Sequence, residues 1–432
     1  MTVGVFLFSL LGAMAIGMPI AYALLICGLA LMAFMAATGV LPAFDSQILA
    51  QRFVDGADNF PLLAVPFFLL AGEFMNAGGL SRRIVLLAMA WVGHFRGGLG
   101  YVAVIAAIIM ASLSGSAVAD TAALAALLIP MMRQAGYNVG RSAGLIASGG
   151  IIAPVIPPSI GMIIFGVAGN VSITKLFLAG IVPGIMMGIA IGFTWWWVAR
   201  RENVQPAPRM PMTERLKVTA NGAFAVALPI VILGGMKFGV FTPTEAAVVA
   251  AVYSFVVGMF IYRELKISAL YGLVLAAGKT TAVVMFLVAA AMVSAWLITV
   301  ANIPNEVARM LEPFMGNKTL LMLVIMVLIV IVGTALDFTP TVLILTPVLM
   351  PVVLKAGIDP VYFGVLFIMN NAIGLITPPV GTVLNVVCGV ARISMDEAFK
   401  GVMPFLLAQL GVLFLLVAFP DLVLVPLKFF MR

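Results

Sequence analysis

Long apolar stretches separated by short polar turns make up nearly the whole chain. They cover residues 3–37, 60–76, 84–94, 98–132, 142–168 and 175–199. After a polar link at 200–217 they resume at 219–235, 244–262, 268–301, 319–354, 361–391 and 402–427. The run Val3–Ala37 lacks a basic leader and is too long for a signal-peptide core, so it is expected to be the first membrane helix. Two runs, 98–132 and 319–354, are too long for one straight span. About 35 residues at 1.5 Å each exceed 50 Å, against a hydrocarbon core of ~30 Å. Each is expected to turn back within the membrane as a re-entrant hairpin.

The hairpin centres support that reading. The first holds Ser112-Leu113-Ser114-Gly115-Ser116 and then Asp120-Thr121; the second holds Gly333-Thr334-Ala335-Leu336-Asp337-Phe338-Thr339-Pro340-Thr341. Both are clusters of small and hydroxyl residues with a carboxylate, flanked by apolar helix. Two further runs, 142–168 and 361–391, carry a Pro-Pro pair at their middle, Pro157-Pro158 and Pro378-Pro379. A proline inside a helix removes a donor and displaces the carbonyl four residues back. The pairs are therefore expected to release Ala153 and Pro154 in one helix, and Gly374 and Leu375 in the other. In lipid such groups persist only where protein, water or an ion satisfies them.

The two proline pairs lie 221 residues apart, and that offset aligns the chain with itself from Pro130/Pro351 to Pro183/Pro404 without a gap. Ala135-Gly136 falls on Ala356-Gly357, Gly180 and Pro183 on Gly401 and Pro404, and Ser116 on Asp337. The chain thus reads as two repeat halves, 1–199 and 218–432, joined by a basic linker at 200–217. That linker carries Arg200, Arg201, Arg209, Arg215 and Lys217 against Glu202 and Glu214, with Pro206, Pro208 and Pro211 keeping it from being helical. Its positive excess places it in the cytoplasm. Whether the halves are parallel or inverted is open at this level.

Composition narrows the class. Of 432 residues, 64% are hydrophobic and 9% charged, with a mean hydropathy of +1.23. The chain is an all-α polytopic membrane protein, with no room for a sizeable soluble domain. The net charge of +7 is spread over segment ends, so it speaks of topology and not of nucleic acid. One histidine, His94, sits in a Gly/Arg-rich turn, which removes His-based metal sites and catalytic triads. Cys27 and Cys388 lie in apolar helices and are expected to stay unpaired. Trp195-Trp196-Trp197 before Arg200-Arg201 reads as an interfacial anchor. No Walker loop is present, so drive comes from an ion gradient.

Hydroxyls and unwound carbonyls at broken helices bind a hard, non-redox cation such as Na⁺ near the membrane midplane. Each half is therefore expected to build one cation site from its own tip and its own break. Half-helix N-termini there suit a substrate carboxylate. Asp337 is the sharpest single residue, since an ionisable group inside a membrane segment marks function by default. It serves as cation ligand, as acceptor for a substrate hydroxyl, or as the cap of a half-helix. Asp120 is either a ligand or a cap of its own arm. Asn370-Asn371 lies one turn before Gly374 on the second broken helix and is expected to line the cavity. Glu73, Asn76, Glu245 and Lys279 are expected at segment ends or in paired scaffold contacts.

Ser114-Gly115-Ser116-Ala117-Val118-Ala119-Asp120, Ile156-Pro157-Pro158-Ser159-Ile160 and Gly374-Leu375-Ile376-Thr377-Pro378-Pro379-Val380-Gly381 together resemble the motifs of the large, DctM-like membrane subunit of TRAP (tripartite ATP-independent periplasmic) transporters. The resemblance runs over essentially the whole chain. It implies an inverted-repeat elevator fold of the ion transporter superfamily in the bacterial cell inner membrane, coupled to Na⁺. It also implies two partners: a small four-helix membrane subunit, here expected not to be fused, and a periplasmic substrate-binding protein. It further implies a substrate that is an organic acid of the dicarboxylate, sugar acid, keto acid or sialic acid class. By resemblance, Na⁺ site 1 falls on Ser112, Ser114, Gly150, Pro154 and Pro157. Na⁺ site 2 falls on Gly333, Asp337, Gly374, Thr377 and Pro378. Substrate is expected near Ser116, Ser159, Asp337 and Asn371. Ile160 stands where some members carry a second hydroxyl, which argues against carrying over contacts to a polyhydroxylated sialic acid. A stand-alone ion-coupled anion transporter, needing no binding protein, is the nearest alternative. A passive channel is a further one. An intramembrane enzyme lacks a nucleophile–base pair in this sequence.

Overall fold

A computed structural model describes residues 2–41, 44–200, 206 and 208–431. Among them every regular element is helical. The first half comprises α1 (Thr2–Ala15), α2 (Ile20–Ala37), α3 (Ser46–Ala57), α4 (Ala64–Ala77), α5 (Leu80–Val92), α6 (Gly98–Ser114), α7 (Ala117–Gln134), α8 (Val139–Gly150), α9 (Ile160–Ala168) and α10 (Ile173–Ala199). The second comprises α11 (Met212–Lys237), α12 (Pro243–Val256), α13 (Ile267–Val300), α14 (Ile303–Leu311), α15 (Lys318–Ala335), α16 (Phe338–Lys355), α17 (Pro360–Gly374), α18 (Thr382–Ala391), α19 (Met395–Ala418) and α20 (Asp421–Phe430). Among the described residues eight segments are long and apolar enough to cross a membrane, whereas α6, α15, α17 and α18 are shorter apolar helices. The short ones are arms of the two hairpins and the two halves of the second broken helix.

Both long runs split where the sequence turns polar. The first breaks at Gly115, whose φ of +62° turns the chain between α6 and α7. The second breaks at Leu336-Asp337 between α15 and α16. The two arms of the first hairpin pack along each other, while α15 and α16 touch little beyond their turn. Instead α15 lies on α17, and α16 lies on α9, α13, α14 and α17. The Pro-Pro runs also break as expected. Residues 151–159 separate α8 from α9 and residues 375–381 separate α17 from α18, and both proline pairs are joined by cis peptides.

The repeat is visible in the packing. α7 lies on α8 and on α18, and its counterpart α16 lies on α17 and on α9. Each second hairpin arm thus touches the broken helix of its own half and the far piece of the other half's. Likewise α10 packs on α17, and α19 on α8. The halves interlock instead of standing side by side. Phe165 of α9 meets Phe367 and Phe363 of α17 at ring distances of 5.6 and 6.1 Å, all three fully buried. Where α8 crosses α19 the backbones meet at glycine: a Cβ on Gly401 would overlap the Gly140 carbonyl, and one on Gly144 would overlap Gly401.

Several expectations change. Val3–Ala37 is two helices, because Gly17 at φ +80° and Pro19 end α1 and restart the chain as α2. The described linker residues up to Pro211 are non-helical, and helix resumes within the linker because α11 begins at Met212; Arg201 and Glu202 lie outside the described residues. Trp195 is no interfacial anchor. It is fully buried, donates its indole N–H to the Gly97 carbonyl at 2.9 Å and stacks on Tyr137 and Phe405. Trp196 and Trp197 remain exposed, with the Arg200 guanidinium 3.5 Å from the Trp196 ring centre. Both cysteines are free. The amphipathic helices α3 and α14 fall outside the apolar runs.

The glycine crossing gives a direct test. Gly401→Val forces backbone apart and is expected to cost about 1–3 kcal/mol, as overpacking does. Gly411→Val, in the same helix but facing open space, is expected to be nearly neutral. Thermal unfolding of the detergent-solubilised variants checks the contrast.

Candidate functional site

The two hairpin tips meet the two helix breaks. At tip 1, Gly115 lies so close to break 1 that a Cβ there would overlap the Pro158 carbonyl and sit 3.1 Å from Ser159 Cα. Gly150, at the end of α8, faces Thr121 of α7 so closely that a Cβ would coincide with the threonine hydroxyl. At tip 2, Gly333 rests on Gly374, where a Cβ would come within 2.9 Å of the Gly333 carbonyl. Gly115 and Gly374 have no room for a side chain because backbone meets backbone there, and Gly150 has none because of the Thr121 side chain.

Hydrogen bonds then fix the tips. The Ser114 hydroxyl donates to Asp120 Oδ1 at 2.5 Å and accepts from the Ser116 amide at 3.1 Å. Asp120 is buried, and its Oδ2 and the Thr121 hydroxyl have no partner among the described residues. Asp120 is therefore no cap; Ser116 is the N-cap of α7, accepting from Ala119 N. Asp337 occupies the equivalent N-cap position of α16, as the repeat alignment requires, but its carboxylate caps nothing there. It accepts instead from the Thr382 hydroxyl of α18 at 3.3 Å, tying tip 2 to the far side of break 2.

The released carbonyls are partly re-used. Pro154 O accepts the Ser159 hydroxyl, Gly374 O accepts the Thr377 amide, and Leu375 O accepts the Val383 amide. A carbonyl has two acceptor positions, so each retains one for a further partner. Ser112 and Thr377 turn their hydroxyls back onto their own helices, toward Ile109 O and Ile373 O.

A cavity of about 160 Å³ lies between the tips. Gly115 and Ser116 line it from tip 1, Asp337, Phe338 and Thr339 from tip 2, and Pro154 and Leu375 from the two breaks. A larger cavity of about 720 Å³ shares Asp337, Thr339 and Val284 with it and runs on between α2 and α13. Of the expected substrate contacts, Ser116 and Asp337 line the smaller cavity. Ser159 and Asn371 do not. Ser159 is fully buried, with its hydroxyl donating to Pro154 O and accepting from Met162 N as the cap of α9. Asn371 is also buried, and its amide donates to Phe338 O at 2.6 Å, which pins tip 2 onto α17. Asn370 likewise donates to Met326 O of α15. These side chains hold the break and the tip in place.

The sequence reading missed the opposite wall. Thr280 and Val284 of α13 and Leu69 of α4 close the cavity. No motif marks them, because they are ordinary residues of apolar helices. Asn76 accepts from Ser81, and Glu245 forms a capping box with Thr242 at the start of α12, so both are the scaffold contacts expected of them. Lys279 is neither at a helix end nor paired among the described residues.

A match to known proteins accords with this geometry. Residues 7–422 fit the profile of the tripartite ATP-independent periplasmic transporter, DctM component. The chain belongs to that family. It is 59% identical, over 99% of both chains, to the 2,3-diketo-L-gulonate TRAP transporter large permease protein YiaN of Escherichia coli (strain K12). It is 36% identical, over 98% of both, to the sialic acid TRAP transporter large permease protein SiaM of Vibrio cholerae serotype O1. In fold it matches the crystal structure of the Alcanivorax borkumensis YdaH transporter, with a TM-score of 0.67 at 16% identity, over 92% of this chain and 96% of that one. The chain is a multi-pass large permease of the bacterial inner membrane and takes part in TRAP-type uptake of organic acids.

Thiol labelling tests the cavity. In a background with Cys27 and Cys388 replaced by Ser, a water-soluble thiosulfonate is expected to modify Thr280→Cys and Thr339→Cys at least about tenfold faster than Ser159→Cys, since reaction needs an exposed thiolate. Equal rates at all three positions would remove the cavity wall assigned to α13 and tip 2.

Proposed function

We propose that this chain carries a small organic acid inward, coupled to Na⁺, by moving the two tips and the two breaks as one body past a fixed wall. The observation that carries the reading is the convergence of both tips and both breaks on one cavity whose remaining wall is α13 and α4. Each tip–break junction offers hydroxyls and half-used carbonyls, the donor set for a hard cation without redox chemistry. Site 1 takes Ser112, Ser114, Gly150, Pro154 and Pro157; site 2 takes Gly333, Asp337, Gly374, Thr377 and Pro378. Ser116 and Asp337 face the substrate. The halves, 1–199 and 218–432, act as inverted repeats, and the motion is of the elevator type. The partners are a small four-helix membrane subunit and a periplasmic binding protein that delivers the acid.

A cavity near 160 Å³ is comparable with the ~150 Å³ protein cavity that admits benzene, and it adjoins the larger one at Asp337, Thr339 and Val284, so the two together leave room for a small organic acid. The relative at 59% identity is named for 2,3-diketo-L-gulonate, and this compound is the substrate we assign. The two halves are unequal toward it. The half-helices α7 and α9 are capped by their own Ser116 and Ser159, whereas α16 and α18 have no side-chain cap. Free N–H groups at a helix start attract an anion, which draws the carboxylate toward the second half.

Reconstitution tests the proposal. Proteoliposomes containing this chain and its small subunit, supplied with binding protein loaded with radiolabelled 2,3-diketo-L-gulonate, are expected to accumulate label only under an inward Na⁺ gradient. Asp337→Asn is expected to abolish uptake at normal expression and assembly. Gly374→Ala, which pushes tip 2 off break 2, is expected to raise the Na⁺ concentration needed for half-maximal uptake. Full uptake with K⁺ replacing Na⁺, or wild-type rates from Asp337→Asn, would contradict it.

A further inference from the structure

The two cavities that meet at Asp337 have one charged group among their described lining residues, and it is negative. An organic anion entering there faces a carboxylate and no lining cation. Lys279 lies just outside this lining, on the helix that forms the opposite wall. It is exposed and is the one charged residue of α13, which spans 34 residues from Ile267 to Val300. A lone ammonium far from either end of an apolar helix is costly unless it reaches water or a partner.

Helix register says where Lys279 points. Residues three and four apart share a helix face, so Lys279 stands one turn before Ala282 and Val283, both of which line the larger cavity. It directly precedes Thr280, which lines the smaller one. Helical side chains lean toward the N-terminus of their helix, which puts the ammonium on the N-terminal side of the lining formed by Thr280, Ala282 and Val283, beside the cavities and not inside them. On the cavity side, Asp337 is the acidic group nearest in the lining, and it is engaged by Thr382. No ion pair ties Lys279 to any described residue.

We propose that Lys279 is a substrate-recognition residue: its ammonium receives the carboxylate of the incoming organic acid at the cavity rim and offsets the charge of Asp337. This rests on the transport reading above and adds a residue of the static wall to the substrate's path. An ammonium at a rim acts by attraction through water, so its contribution falls as salt rises.

The test is uptake of radiolabelled 2,3-diketo-L-gulonate in the complete reconstituted system, for wild type, Lys279→Met and Lys279→Arg. Sodium is fixed while choline chloride is varied. Wild-type uptake reports on the transport reading; the ratio of KM values between variant and wild type reports on Lys279 alone. Lys279→Met is expected to raise KM about tenfold, a loss of one charge-assisted contact, with the Na⁺ dependence unchanged. It is also expected to remove the rise of KM with choline chloride. Lys279→Arg, which keeps the charge, is expected to stay within about twofold of wild type. An unchanged KM and unchanged salt response in Lys279→Met would overturn the proposal and leave the lysine as a membrane-surface anchor.

Discussion

The structure depends on one constraint: a broken helix inside an apolar protein must find partners for the backbone groups it releases. Four of the breaks in this chain's apolar runs, two at paired prolines and two at polar hairpin turns, are brought together. Each tip seats on a break through a glycine contact, Gly115 on Pro158 and Gly374 on Gly333. Serine, threonine and asparagine side chains then take up part of what was released. What is left over, at Pro154, Gly374, Leu375 and the Asp120–Thr121 pair, is oxygen that accepts more than the protein provides. A site with surplus acceptors and no basic partner is suited to a cation.

The released carbonyls are re-used within their own half, at Ser159, Thr377 and Val383, and the repeats interlock by packing. α7 reaches α18 and α16 reaches α9, so the second arm of each hairpin also lies on the broken helix of the other half. Tip 1 and tip 2 thereby border one cavity. Symmetry of fold does not carry over to chemistry. The equivalent N-caps are Ser116 and Asp337, one neutral and capping, the other charged and engaged by Thr382. The first half closes the starts of α7 and α9 with its own hydroxyls, while α16 and α18 start without a side-chain cap.

Most of this frame was legible in the sequence, and the reasons are local. Proline pairs break a helix locally, and the 98–132 and 319–354 runs break at their polar centres, whereas the equally long apolar run of α13, which has no such centre, stays one helix. The 221-residue offset showed that the breaks recur. What could not be read is what side chains do once the pieces meet. Ser159 was expected near the substrate from the family resemblance, but its hydroxyl donates to Pro154 O five residues back. Asn371 was placed at the cavity by its position before Gly374, and it faces the Phe338 carbonyl instead. Trp195 belonged by sequence to an aromatic belt and is drawn inside by the Gly97 carbonyl. Thr280 and Val284 carry no motif, since a cavity wall is made by which helix happens to stand opposite.

The central claim is that cations occupy the junctions between tips and breaks. Hydrogen–deuterium exchange on the purified protein in Na⁺ against K⁺, at equal ionic strength, addresses it most directly. The account predicts that Na⁺ slows exchange at residues 114–118 and 151–159, and at 333–338 and 375–381, while α11 and α12 stay unchanged. Identical exchange in the two salts at both junctions would contradict it.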